Sequence, residues 1–356
     1  MGSRAVDVTL RIYDAPLPEV FGSDRLLRDL SHVETLTMRS LTLTGAAMLA
    51  AALLTACSAD DAPSAPTTPE AAGPLEPKVS GVNGQIAFNR GGDNDVLVAN
   101  PDGSNTRQLL TNSCCPHWSP DGSKIAALAF TDLGTLTAAT LNPDGSGYAI
   151  LPIDDPTLNV ALGVWSPDAA RLASEGWDDA DATRNGMYTR RASDGGGLIR
   201  VTSNPFEGGH DIPGDYSPDG SRIVFVRENP LRKSGNTAVF VVNIDGSGLR
   251  RITPWGTGGS PSWSPDGRWI LFDARGFLFV VHPNGTAQRQ IHLHPGSRYY
   301  AYEPGWSPDG GRIVFGMYLS STGQNDIFTA GADGTDLVQV TNTPESEEAP
   351  DWGPRN

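Results

Sequence analysis

The 356-residue sequence has little positive charge, few cysteines and no long hydrophobic run. Lys and Arg number 26 against 41 Asp and Glu, and the net charge of −15 argues against nucleic-acid binding, which needs a basic face to displace counterions. Three cysteines are too few for a small fold held together by disulfides. The main apolar stretch, residues 41–54, is shorter than the ~20 residues of a membrane-spanning helix.

Sequence signatures of the common enzyme classes are also missing. There is no Gly-x-Ser-x-Gly elbow, no His-Glu-x-x-His helix and no Gly-Lys pair of a phosphate-binding loop, so no catalytic residue is assigned. We expect no cofactor and no metal centre. The acidic run at residues 178–181 offers calcium ligands, but it lacks the spacing of an EF-hand loop, and a solvated loop is the simpler interpretation.

Glycine and proline, by contrast, are abundant. The 41 Gly and 28 Pro follow no collagen-like period, so they indicate either disorder or a fold made of many turns. Because 38% of the residues are hydrophobic, a turn-rich globular domain is the better interpretation.

Residues 38–56 have the pattern of a secretion signal peptide. Met38 opens a short basic region, and the apolar residues 41–54 have the length of a signal-peptide core. The last three residues of this signal and the cysteine that follows them are Leu-Thr-Ala-Cys, which resembles the lipobox of bacterial lipoproteins. In that family, cleavage falls before the cysteine, here Cys57, which is then lipidated. The alternative is an ordinary signal peptide followed by a chance cysteine.

The segments around this signal complete the domain organisation. Residues 1–37 carry six acidic residues, unlike the start of a signal peptide, and we interpret them as lying upstream of a true start at Met38 or as disordered. Residues 57–81 comprise the cysteine and a Pro- and Ala-rich tether, a composition that forms no core. An Asp directly after the lipidated cysteine would resemble an inner-membrane retention signal. Because this position is Ser58, the outer membrane is the favoured location, on its periplasmic or surface side.

The rest of the sequence, residues 82–356, is a sixfold repeat. An aromatic residue followed by Ser-Pro-Asp-Gly, or by a variant of it, recurs at intervals of 43–51 residues. The six aromatic residues are Trp118, Trp165, Tyr216, Trp263, Trp306 and Trp352. A second marker, Asp-Gly or Asn-Gly, alternates with the first and begins at Asp102, Asp144, Asp194, Asp245, Asn284 and Asp333.

Both markers are turn sequences. Ser-Pro-Asp-Gly places proline, with its fixed φ, at the second position of a turn, and Asp-Gly favours a tight hairpin. Short strand-like runs such as Ile-Val-Phe at residues 223–225 flank the turns. Each repeat therefore predicts four strands, and six repeats predict an all-β, six-bladed β-propeller of four-stranded blades. Because the repeats begin with a second strand and end with a lone first strand, we expect the C-terminal strand to close the ring.

These residues carry a family resemblance. The repeat Trp-Ser-Pro-Asp-Gly…Ile-x-Phe resembles the WD40-like (PD40) repeat of the TolB propeller family, over residues 82–356. The resemblance implies the same fold for that part of the chain. It does not extend to the α/β domain that precedes the propeller in TolB, since only the tether lies between Cys57 and the first repeat.

The fold suggests where function lies. Alternating strand direction puts both marker turns on one face of the disc and the longer connections on the other, where binding loops are expected. The loops entering the innermost strands meet at the mouth of the central channel, where they form a polar ring suited to an ion, a sugar or a basic peptide. A solvated channel without a ligand is the alternative. The candidate residues at the mouth are Asn112, Asn159, His210, Asp211, Tyr300, Tyr302, Glu303, Glu347 and Glu348.

Cys114 and Cys115 are adjacent in one of these loops. In an oxidising envelope they would form a vicinal disulfide. The alternatives are two free thiols or, with His117, part of a metal site, although metal-binding cysteines usually stand farther apart.

Together these observations indicate a monomeric, non-enzymatic envelope lipoprotein. Its loop face would bind a protein or peptide partner, and only the lipid on Cys57 would contact the membrane. The alternative is an envelope hydrolase or lyase acting on carbohydrate or peptide, with His210, Tyr300 and Glu347 at the channel mouth. That alternative requires the three side chains to surround one cavity.

Overall fold

The computed structural model describes residues 82–91, 95–132 and 134–355, and the regular secondary structure of this part is β-strand apart from one 3-10 turn. Its 24 strands form six four-stranded sheets, which confirms the six-bladed propeller predicted from the repeats. The signal, Cys57 and the tether lie outside the described residues. Within the described part, no helix has the length and hydropathy of a membrane span.

The blades are numbered in ring order. Blade 1 contains β1 (Asn83–Arg90), β2 (Asp95–Ala99), β3 (Arg107–Leu110) and, innermost, β24 (Glu347–Pro354). Blade 2 contains β4 (His117–Trp118), β5 (Ile125–Phe130), β6 (Leu136–Leu141) and β7 (Ala149–Ile150). Blade 3 contains β8 (Leu158–Trp165), β9 (Arg171–Asp178), β10 (Gly186–Arg191) and β11 (Ile199–Arg200), with a 3-10 turn at Ala182–Arg184.

Blades 4 to 6 repeat the same order without insertion of another element. Blade 4 contains β12 (Asp211–Tyr216), β13 (Arg222–Glu228), β14 (Thr237–Asn243) and β15 (Arg250–Arg251). Blade 5 contains β16 (Gly259–Trp263), β17 (Ile270–Ala274), β18 (Phe277–Val281) and β19 (Arg289–Ile291). Blade 6 contains β20 (Tyr299–Trp306), β21 (Arg312–Leu319), β22 (Gln324–Gly331) and β23 (Val338–Gln339).

The last strand completes the first blade, as the repeat order predicted. β24 pairs antiparallel with β1, with Trp352 opposite Ile86 and Glu347 opposite Arg90. β24 also contacts the innermost strands of both neighbouring blades, β4 and β20. The ring is therefore closed by main-chain hydrogen bonds between the two ends of the repeat region.

The Ser-Pro-Asp-Gly turn has the same hydrogen bonds in successive blades. In blade 4, Ser217 Oγ donates to Asp219 Oδ1 at 2.6 Å and accepts from the Arg222 main-chain N–H at 2.9 Å. The carboxylate of Asp219 also accepts from Ser221, and these hydrogen bonds lower its pKa to about 2. The aspartates of these turns are thus structural. We call the face with these turns the lower face and the opposite one the upper face.

The hydrophobic core lies between the blades. The phenylalanines of the Ile-x-Phe strands, among them Phe88 and Phe315, are completely buried. Phe88 belongs to a cluster that joins blade 1 to Val314 and Ile327 of blade 6, and Trp352 is part of it. Burial of one such side chain contributes roughly 1.5–3 kcal/mol, so blade-to-blade packing stabilises the ring together with strand pairing.

We predict that Trp352→Ala destabilises the propeller by about 3–5 kcal/mol, because it leaves a cavity beside the closing strand pair. It also removes the hydrogen bond from Trp352 Nε1 to the Gly84 carbonyl, at 3.1 Å. Chemical denaturation would measure the free energy of unfolding. As a control, Val338→Ala on an exposed outer strand should change it by less than about 0.5 kcal/mol. Equal effects of the two substitutions would contradict the closing role of Trp352.

Candidate functional site

The innermost strands share a bulge that exposes a main-chain N–H to the preceding blade. The residue three positions before each aromatic marker has a positive φ in five blades, at Cys115, Leu162, Ser260, Glu303 and Ala349. In the sixth, blade 4, the position is occupied by Pro213. The register between the two inner strands shifts at this bulge in blades 1, 3, 4, 5 and 6. In blades 1, 2 and 6, the main-chain N–H at this position donates to a side chain of the preceding blade.

Side chains of the preceding blade accept hydrogen bonds from these bulge N–H groups. Asp273 Oδ1 accepts from the Glu303 N–H at 3.3 Å, and Glu303 Oε2 accepts from the Ala349 N–H at 2.7 Å. In blade 1, Asn89 Oδ1 accepts from the Cys115 N–H at 2.9 Å. Two carboxyl groups are thus held in place by the main chain of the next blade, without a basic side chain.

A second set of acidic groups lies one residue before the aromatic marker. Asp351 Oδ2 accepts from the Trp118 N–H at 2.6 Å, and Asp215 Oδ2 accepts from the Trp263 N–H at 3.1 Å. These two aspartates belong to blades 1 and 4, which are opposite each other in the ring. Burial, followed by the charge of Asp351, raises the pKa of Asp215 to about 7. The two carboxyl groups therefore interact electrostatically although they belong to opposite blades.

The carboxyl groups of the channel are difficult to ionise. Burial raises the pKa of Asp273 to about 6 and that of Glu303 to about 7, since a charged carboxylate is poorly solvated there. Burial likewise raises the pKa of Asp351 and lowers that of His117, which shares the channel position before the marker in blade 2. A cationic group entering the channel would favour the ionised carboxylates.

Four of the mouth residues predicted from the sequence come together between blades 6 and 1. Glu303 accepts from the Ala349 N–H, and Glu348 accepts from Ser346 Oγ at 3.0 Å. Burial, followed by the charge of Glu348, raises the pKa of Tyr302, whose hydroxyl is buried without a hydrogen-bond partner. The fourth residue, Glu347, is the first residue of the closing strand.

Glu347 forms a buried carboxyl pair with Asp326 of β22. Both residues are completely buried, and their carboxyl groups lie within hydrogen-bonding distance of each other. Glu347 Oε1 accepts from Arg90 Nε at 2.8 Å, and Asp326 Oδ2 accepts from Gln339 Nε2 at 3.0 Å. One oxygen of each carboxyl group has no other partner, which a proton shared by the pair would satisfy. This carboxyl pair joins blade 6 to the strand that closes the ring.

His210 lies between blades 3 and 4. Its Nδ1 is 2.5 Å from Glu175 Oε1, and its ring packs edge-on against Trp177 with centroids 6.0 Å apart. The hydrogen bond with Glu175 raises the pKa of His210. The neighbouring Asp211 is completely buried and binds Arg227 through both carboxylate oxygens, at 2.7 and 2.6 Å, so it is structural.

The remaining mouth candidates have partners outside the channel. Asn159 Oδ1 accepts from the Leu136 N–H at 3.0 Å and so connects blade 3 to blade 2. Asn112 lies at a groove of about 650 Å³ between blades 1 and 2, beside Phe130. Tyr300 packs against Tyr318 with ring centroids 6.3 Å apart.

Cys114 and Cys115 are joined by a disulfide in the structure. Cys114 is buried, and its carbonyl accepts from the Leu128 N–H at 3.0 Å. Cys115 has a φ of 60° and occupies in blade 2 the position three residues before the aromatic marker. His117 interacts electrostatically with Asp351 instead. The described residues contain no group of three or more His, Cys, Asp or Glu arranged to hold a metal ion.

The groups required by the hydrolase or lyase alternative have separate partners. His210 is bound to Glu175 and Glu347 to Arg90, while Tyr300 packs in blade 6. No hydrogen bond, ion pair or ring contact of the described residues joins the three. The contacts of the described residues thus hold each of the three side chains separately.

The acidic run at residues 178–181 also has hydrogen-bond partners within blade 3. Asp178 Oδ2 accepts from Arg184 Nη1 at 2.7 Å. Asp181 Oδ1 accepts from the Thr183 N–H at 3.0 Å and caps the 3-10 turn. These hydrogen bonds give both carboxylates a role in ordering the connection between β9 and β10.

Sequence reasoning missed Asp215, Asp273 and Asp351, whose carboxyl groups accept hydrogen bonds from main-chain N–H groups of the next blade. A signal was present for two of them, because Asp215 and Asp351 stand immediately before an aromatic marker. Asp273 lies on the second strand of its blade, and only the bulge of the next blade brings it to the channel.

Comparisons with known proteins place the chain among propellers of the TolB type. The family model of the TolB beta propeller domain matches residues 78–274. The chain is 27% identical over 216 residues to the uncharacterized protein Atu1656 of Agrobacterium fabrum, covering 57% of this chain and 65% of that protein. It is 26% identical over 187 residues to the Tol-Pal system protein TolB of Francisella tularensis subsp. mediasiatica, covering 51% of this chain and 41% of that protein.

Solved structures support the same fold. TolB from Acinetobacter baumannii has a TM-score of 0.59 and 18% sequence identity, covering 76% of this chain and 67% of that one. The chain spans less than two thirds of the length of the two curated relatives. The similarity therefore concerns the propeller.

We predict that the Asp326–Glu347 pair makes stability depend on pH. Burial, followed by the charge of Glu347, raises the pKa of Asp326 from 3.8 to about 6, so the folded state binds this proton more tightly than the unfolded chain. The resulting stabilisation is complete below about pH 4 and is lost as the pH rises through 6. Asp326→Asn should therefore gain stability relative to wild type between pH 5 and pH 8, by on the order of 2 kcal/mol.

Chemical denaturation at the two pH values would measure this difference. Other buried carboxyl groups also titrate in this range, and subtracting the wild-type curve from the variant curve isolates Asp326. The exposed Asp336→Asn is the matched control and should show no such difference. If the free energies of unfolding of wild type and D326N differ by the same amount at pH 5 and pH 8, the pair does not share a proton.

Proposed function

Because the chain belongs to the TolB β-propeller family, we propose that it is a non-enzymatic binding module of the bacterial envelope. Its ligand is a protein or peptide segment that carries a basic side chain and enters the channel from the upper face. The similarity to TolB supports the envelope location. The acidic channel supports the chemical character of the ligand.

The channel carboxyl groups are the observation that carries this proposal. Asp215, Asp273 and Glu303 accept hydrogen bonds from main-chain N–H groups. None of them forms an ion pair with Lys or Arg among the described residues. A Lys or Arg of a partner would supply the missing positive charge and form charge-assisted hydrogen bonds with these groups.

Aromatic side chains on the upper face provide contact area outside the channel. Trp255 packs edge-on against Phe206 with ring centroids 5.9 Å apart, and Arg232 stacks over Trp255 at 5.6 Å. The adjacent Leu231 is 73% exposed. Partly exposed aromatic and Arg side chains are enriched at protein interfaces, so this corner of blades 4 and 5 suits the part of a partner that remains outside the channel.

We also propose that a lipid on Cys57 anchors the monomeric propeller to the outer membrane. The lipobox-like sequence and the proline-rich tether support this arrangement. A spacer of this composition would hold the propeller away from the membrane and leave its upper face accessible to a partner.

We predict that Cys57→Ser abolishes incorporation of a clickable fatty acid and moves the protein from the membrane to the soluble fraction. Cys115→Ser is the control and should retain both the label and the membrane association, since the lipid attaches elsewhere. Envelope fractionation with labelling measures both properties. Continued labelling of C57S would refute lipidation at this cysteine.

We predict that a triple variant with Asp215→Asn, Asp273→Asn and Glu303→Gln loses at least tenfold in partner capture from native envelopes. The amides keep an oxygen to accept the main-chain N–H but remove the charge that the basic ligand needs. Loss of an interfacial charge interaction of about 1.4 kcal/mol corresponds to a factor of ten. Crosslinking and quantitative pull-down would measure the capture.

The control for this experiment removes three charges from the lower face. Asp102→Asn, Asp144→Asn and Asp245→Asn convert exposed Asp-Gly turns into Asn-Gly, the pair that occurs naturally at Asn284. This variant should capture the same proteins as wild type. Equal capture by both triple variants would show that the channel does not bind the partner.

A further inference from the structure

One core position of the propeller carries an arginine in a single blade. In each blade, the residue in question lies on the third strand, opposite the Ile or Leu that begins the buried part of the second strand. In blade 3 this residue is Arg190, opposite Leu172, and it is completely buried. In the other blades the position is apolar and equally buried, at Ala99, Leu141, Val242, Val281 and Ala330.

The guanidinium of Arg190 has only neutral hydrogen-bond partners. Nη1 donates to Thr137 Oγ1 at 3.0 Å, and Nη2 donates to the Val160 carbonyl at 3.2 Å. Nε has no partner. A guanidinium has five N–H donors, so more than half of its hydrogen-bonding capacity is unused.

The positive charge of Arg190 is also unbalanced. Burial lowers its pKa to about 10, so the side chain remains charged at neutral pH. No ion pair of the described residues includes Arg190. An isolated charge in a protein interior costs several kcal/mol unless an opposite charge compensates it.

The surroundings explain why an arginine fits between blades 2 and 3. This face of blade 3 packs against a cluster that includes the small side chains Ala126 and Ala138 together with Leu151 and Trp165. Thr137 donates its own hydroxyl proton to the Leu151 carbonyl at 2.7 Å. It can therefore only accept from Arg190, and it provides no negative charge.

We propose that Arg190 binds a small monovalent anion of halide size between blades 2 and 3. One negative charge balances the single buried cation, and the free Nε–H and the remaining N–H groups of the guanidinium are its donors. A water molecule would satisfy these donors but would leave the charge unbalanced. Because Arg190 has no exposed surface, the anion is incorporated when blades 2 and 3 pack together, and it stabilises the folded state.

The test compares thermal unfolding of the full-length chain in sodium chloride, sodium bromide and sodium gluconate at equal ionic strength. Binding to the folded state alone raises the midpoint temperature, and we expect a rise of about 2–5 °C in either halide relative to gluconate. Arg190→Met places an apolar side chain where the other blades carry one, and it should abolish the difference. Arg250→Met, at an exposed outer strand, should retain it.

Anomalous diffraction from crystals grown in bromide locates the anion independently of any variant. A bromide peak within hydrogen-bonding distance of Arg190 Nε, together with loss of the halide effect in R190M, supports the proposal. Halide stabilisation that persists in R190M would overturn it. A midpoint temperature of wild type that does not depend on halide would also overturn it, and so would crystals with no bromide peak at Arg190. The diffraction result decides the question even if R190M does not fold.

Discussion

The pairing of β24 with β1 is the interaction on which the rest of the structure depends. A propeller blade buries its faces only against two neighbours, so an open ring would expose two apolar surfaces and an unpaired inner strand. Trp352 and Ile86 bring the ends of the repeat region together within one sheet. The buried pair of Asp326 and Glu347 adds a contact between that sheet and blade 6. The channel and its acidic groups exist only because this ring is closed.

Closure also explains how a repetitive scaffold holds a ring of acidic side chains. In blades 1, 2, 5 and 6, a main-chain N–H at the bulge position or at the aromatic marker donates to a side chain of the preceding blade. Asp273 and Glu303 use the first kind of donor, whereas Asp215 and Asp351 use the second. Because the donors are neutral, they do not balance the negative charge of the ionised carboxylates. A basic ligand would balance it.

Departures from the repeat mark the places where individual blades differ in chemistry. Arg190 replaces an apolar core residue of the other blades, and Asp326 is a buried acid on a strand where blade 4 has Ala238. Neither can be recognised from the turn markers, since both occur inside strands. In each case the unusual residue lies between two blades, where the partner comes from a different repeat.

The sequence by itself determined the number of blades, the positions of the turns and the closing strand, because turn residues and strand alternation act over a few neighbouring residues. It also indicated an acidic channel mouth, of which Glu303 and Glu348 are part. Only the tertiary structure decided that His210 pairs with Glu175, that Glu347 belongs to the ring closure and that Asp215 faces the channel. The physical reason is that side-chain partners are set by packing between blades, which joins residues far apart in the chain.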